Sequence, residues 1–109
     1  MKIVYVMHQI GGDIENNIKD ILRIVKKINL EYPEIVPFVP YLSDVWALDD
    51  NISGYRERGM KNGTKIIMRM RNIIDEAWIT GEKISKGIKN EIELFNKYRI
   101  PIINKIGEL

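Results

Sequence analysis

In the stretch ISKGIKNEIELF at positions 84 to 95, one acidic residue stands where an apolar one is expected. At about 100° of rotation per residue, with Ile88 at zero, Glu91 falls at roughly 300°, between Ile84 at roughly 320° and Tyr98 at roughly 280°. Lys86, Lys89, Glu93 and Lys97 gather on the opposite side as a solvated face. One carboxylate is therefore turned inward, where it either snorkels, pairs with an arginine or serves a site. Ser85 is the expected N-cap of this helix, and unpaired backbone N–H groups with the helix dipole favour an anion there. Gly87 costs about 0.5–1 kcal/mol relative to alanine, which fits either a close backbone approach to a ligand or tight packing of helix on strand.

The elements that must position these residues alternate along the chain. KIVYVM at 2–7 is a short, β-branched run typical of a strand covered on both faces. After the turn HQIGGD, Asp13 caps a helix with Ile14, Ile18, Ile21, Leu22, Val25 and Ile28 at helical spacing, ending before Pro33. IVPFV at 35–39 is a second strand, assigned to an edge by its prolines. Residues 40–54 form the longest irregular stretch, a length more often functional than incidental. A helix is expected from Tyr55 to about Asn72, with Gly59, Gly63, Ile66 and Met70 on one face and a basic run read as a solvated face. DEAWIT at 75–80, the Glu91 helix and IPIIN at 100–104 complete βαβαβαβ. This order predicts an α/β fold, a small doubly wound parallel sheet of about four strands with helices on both faces.

Composition narrows the possibilities. The chain has 109 residues, 45% hydrophobic and 29% charged, which fits one globular domain over 1–109. A net charge of +2 is too mild to imply nucleic acid or a membrane surface, and no basic stripe is interleaved with aromatics. No cysteine and a single histidine exclude thiolate chemistry, cysteine-ligated zinc and a histidine-rich metal site, so no metal or cofactor is expected. Neither a signal peptide nor an 18-residue apolar run is visible, and a cytoplasmic location is expected.

In open parallel sheets ligands bind beyond the carboxyl ends of the strands, where the strand order reverses. Three loops are expected to meet there. The first brings His8, Gln9, Gly11 and Gly12, the second Tyr41 and Trp46, and the third Gly81, Ser85 and Gly87. Tyr41 and Trp46 either stack on a ligand ring or pack on the core.

SKGIKNEIELF resembles the Ser-x-Gly-x-x-x-Glu segment of the nucleoside 2-deoxyribosyltransferase-like proteins, which include 2'-deoxynucleoside 5'-phosphate N-hydrolases and uncharacterised bacterial and phage members. GGDIENNI with Asn17, VPFVPYL, LDDN at 48–51 and DEAW agree in order, so the resemblance spans essentially the whole chain. It implies a flavodoxin-like sheet, a homo-oligomer whose neighbouring subunit finishes the pocket, and a nucleoside or nucleotide at the strand ends. It further implies that Glu91 attacks the anomeric carbon to form a glycosyl-enzyme intermediate, and that Ser85 lies where a 5'-phosphate is held.

One position departs from the family pattern: Ile67 stands where active members carry an aspartate that assists the departing base. Asp50, its neighbour Asp49 and His8 are the candidates to replace it. Two functions follow as expectations. The chain is an N-glycosidase or deoxyribosyltransferase with Glu91 as nucleophile, or it binds the nucleotide without turnover, as a phage protein sequestering a host immune signal would.

Overall fold

The computed structural model describes residues 1–49 and 51–109. Eight elements follow one another: β1 (Lys2–Met7), α1 (Ile14–Glu31), β2 (Ile35–Phe38), α2 (Leu42–Ala47), α3 (Tyr55–Met70), β3 (Glu76–Ile79), α4 (Lys86–Lys97) and β4 (Ile102–Asn104). The strands form one sheet in the order β2-β1-β3-β4, every pairing parallel. This is the doubly wound α/β architecture expected from the alternation. β2 occupies an edge, where Pro37, lacking an N–H, faces Val4 in register.

Period-two alternation in the strands divides the core between the two faces of the sheet. Val4, Val6 and Trp78 face α1 and pack with Ile24 and Ile28. Tyr5, Met7, Ala77 and Ile79 face the other way and pack with Ile67 of α3 and with Ile88 and Phe95 of α4. Each fully buried Val, Ile, Met or Phe side chain contributes about 1.5–3 kcal/mol of transfer free energy. The caps stand where the sequence placed them: Asp13 accepts from the Asn16 amide at 3.4 Å, and Ser85 Oγ accepts from the Ile88 amide at 3.2 Å.

Three local expectations are corrected. Residues 40–54 are not wholly irregular, because Leu42–Ala47 form a short helix with no fully buried residue. In α3 the buried residue is Ile67, whereas Ile66 is 37% exposed, so the inward stripe runs through Gly59, Gly63, Ile67 and Met70. In α1 the buried stripe is Ile18, Ile21, Ile24 and Ile28, and Leu22 lies off it. Among the described residues no helix is long and apolar enough to cross a membrane, and no three His, Cys, Asp or Glu side chains stand close enough to hold a metal ion.

Candidate functional site

The chain leaves β1 toward one edge and returns to β3 on the other side, so the strand order reverses between these two neighbours. A cavity of about 430 Å³ opens there, bounded by the β1–α1 loop, α2, α3 and the start of α4. Of the sixteen residues of α3, Ile67 alone is fully buried, and Gly59 and Gly63 bring no side chain to the cavity.

Glu91 lines this cavity. Helical side chains lean toward the N-terminus, so Glu91 reaches back over the turn that contains Gly87. A Cβ on Gly87 would meet only Ser85 Oγ, at 3.8 Å. The missing side chain therefore keeps the cavity open instead of admitting another backbone. The Tyr5 hydroxyl donates to Glu91 Oε2 at 2.7 Å. Burial pushes the Glu91 carboxyl up to about 7, against the downward pull of that hydrogen bond. Tyr5 itself is held well above the ordinary phenol range, first by burial and then by the Glu91 charge, so it remains the donor. Glu91 forms no ion pair among the described residues. The result is a carboxylate oriented by one hydroxyl, with its water-accessible side toward the cavity.

At the other end of the cavity wall, Ser85, Lys86 and Gly87 present the first turn of α4. Ser85 Oγ accepts from Ile88 and can still donate its own proton. Glu91 stands about 9 Å further along the axis, the scale of a sugar phosphate.

His8, 6% exposed, is a wall residue with both ring nitrogens engaged. Nδ1 lies 2.6 Å from the Gln9 carbonyl and Nε2 lies 2.7 Å from Asp20 Oδ2. Each ring nitrogen therefore has its partner within the protein. Burial raises the Asp20 carboxyl, but hydrogen bonds from His8 and Arg23 outweigh it and leave the pKa lowered. Gly81 makes room for the ring: its φ is +86°, and an added Cβ would come within 3.2 Å of His8 Nε2.

Of the residues singled out in the sequence, Glu91, His8, Gln9, Gly11, Gly12, Tyr41, Ser85 and Gly87 line the cavity. Asn17, Gly81 and Trp46 do not. Asn17 supports the first loop by donating to the Ile10 and Gly11 carbonyls at 2.8 and 3.2 Å. Trp46 is 69% exposed on α2. Tyr41 is a packed wall, with its ring 5.9 Å from that of Tyr5 and its hydroxyl donating to the Val6 carbonyl at 2.5 Å. Asp50 lies outside the described residues, and Asp49 is exposed, accepting from the Asn51 amide at 2.9 Å. Ile67, 1% exposed, adds an apolar patch to the wall.

Tyr5, Asp44 and Asn90 also line the cavity and were not singled out, and Arg56, part of the basic run read as a solvated face, lines it too. Arg56 lies over Gly11, its nearest guanidinium nitrogen 3.1 Å from where a Cβ would stand. The glycine pair of the first loop was the available signal for that contact. Nothing in the sequence marks Asp44, because its helix is too short to show a period.

The family model described as a domain of unknown function (DUF7768) matches residues 2–105. The chain belongs to that family. No curated protein and no solved structure matches it. In this DUF7768 domain the matched span includes every strand and helix that borders the cavity.

Proposed function

We propose that this protein binds a nucleoside or nucleotide in the switch-point cavity, with the sugar beside Glu91 and its 5' end toward the first turn of α4. The observation that carries the reading is the Glu91 carboxylate, oriented by Tyr5 at 2.7 Å and open to a cavity that also contains a helix N-terminus. The resemblance of SKGIKNEIELF to the deoxyribosyltransferase-like motif supports the same reading.

Such a carboxylate suits attack at an anomeric carbon. A Glu91 oxygen bonds to C1' as the C1'–N bond breaks; the electron pair leaves with the base nitrogen, which must gain a proton, and water or a second base then releases the sugar. A pKa of about 7 leaves a usable fraction of Glu91 ionised near neutrality. Incubation with a panel of deoxynucleosides and their 5'-monophosphates tests this, with released base as the readout. Release that disappears in Glu91→Ala is expected; no release from any member of the panel removes the hydrolase or transferase reading.

Ile67 favours a second reading, binding without turnover. It contributes an apolar wall where a proton donor for the departing base is wanted, and both nitrogens of His8 are already engaged. This version predicts a stoichiometric complex from which intact nucleotide is recovered on denaturation.

A further inference from the structure

The cavity has two unlike halves. Toward the strand ends it is polar, with the Gly11–Gly12 loop, the α4 N-terminus and Glu91. Between α2, α3 and α4 it is walled by Val45, Leu48, Met60, Ile67 and Leu94, and its α3 side carries Gly59 and Gly63. A Cβ on Gly63 would meet no atom within 4 Å, so bare helix backbone faces open space there. A flat ring fits such a chamber, because it gains dispersion contact with both walls without displacing side chains.

Among the described residues of this lining, Asp44 brings a carboxylate to the Gly59 side of α3. It sits across Gly59, whose missing Cβ would come within 4.0 Å of the Asp44 Cβ. The Asn62 side-chain amide donates to Asp44 Oδ2 at 3.0 Å. That bond fixes the carboxylate's rotamer. A carboxylate has about four lone-pair sites, so Asn62 leaves most of its accepting capacity unused. A ring edge presenting N–H groups satisfies that capacity, whereas an edge presenting a carbonyl oxygen sets two acceptors against each other.

We infer that the base of the bound nucleotide occupies the chamber over Gly59 and Gly63, and that Asp44 selects bases bearing an exocyclic amino group over those with an oxo group there. This rests on the nucleotide reading above and names its substrate class. Asp44 is placed as a specificity residue, with its rotamer held by Asn62.

The test is equilibrium binding, by calorimetry, of dCMP and dUMP, which differ in the 4-amino or 4-oxo group and in the adjacent N3, bare in the first and protonated in the second, together with deoxyribose 5-phosphate, which has no base. Wild type should bind dCMP at least about tenfold tighter than dUMP, a conservative figure for a site built around one hydrogen bond. Asp44→Asn, which can donate as well as accept, should bring the two within about twofold. Gly63→Leu should weaken both nucleotides by about tenfold or more while leaving deoxyribose 5-phosphate unchanged, and this arm does not depend on Asp44 at all. Equal binding of dCMP and dUMP by wild type, or an undiminished gap in Asp44→Asn, overturns the inference and leaves the nucleotide site standing. Binding of no nucleotide overturns both.

Discussion

The two faces of the sheet bury similar residue types yet end differently. Beneath α1, four isoleucines in eighteen residues are fully buried, and Trp78 closes the layer against Tyr32 with ring centroids 5.6 Å apart. On the opposite face α3 commits Ile67 alone, and the space left over is the cavity. Packing and open space are thus divided between faces: one buries four isoleucines of a single helix, and the other leaves a hollow beside Glu91.

The largest test of that contrast is in the packed layer. Ile24→Ala, at a position 1% exposed, should lower the unfolding free energy by about 2–5 kcal/mol in urea titration. Met60→Ala, on the cavity side and 49% exposed, should stay within about 0.5 kcal/mol. Similar losses at both sites would erase the distinction between the faces.

Glu91 sharpens the contrast through pH. Its folded pKa of about 7 lies above the ordinary value of 4.5, so the native state holds the proton more tightly than the unfolded chain. Its contribution is fully present below about pH 4.5 and is lost as the pH rises through about 7, a change of roughly 3 kcal/mol. Glu91→Gln should flatten this part of the stability profile; an unchanged profile would mean that the carboxylate is better solvated than its surroundings imply.

Two glycines give smaller effects of opposite sign. Gly81→Ala forces a side chain to φ +86° against His8 and should destabilise by about 1–3 kcal/mol in thermal melts. Gly63→Ala, with open space around the new methyl, should stabilise by about 0.5–1 kcal/mol through helix propensity. A loss of stability at Gly63 would show that α3 is packed more tightly than its exposure indicates.

The sequence disclosed the parts of this arrangement that are written locally. The short apolar strand runs, the Asp13 and Ser85 caps and the inward arc of Glu91 were each legible, because β-branched runs, capping residues and a 3.6-residue repeat are local signals. What was not legible depends on contacts between distant segments. The six residues of α2 are too few to display a period. The shift from Ile66 to Ile67 was hidden because a wheel centred on Gly59, Gly63 and Met70 puts Ile66 nearer its middle, whereas packing against the sheet selects Ile67. The Tyr5–Glu91 hydrogen bond joins positions 86 residues apart, and no local spacing encodes it. Likewise His8 was a candidate donor until its partner on α1, Asp20, was known.

The chain's two tryptophans happen to fall on either side of this divide. Trp78 is 3% exposed and Trp46 is 69% exposed. Their fluorescence should therefore separate into a short-wavelength emission from the interior and a long-wavelength, readily quenched emission from α2. A molecule entering beside α2 would alter the second and spare the first, so the unlabelled protein carries both an optical sensor and its internal reference.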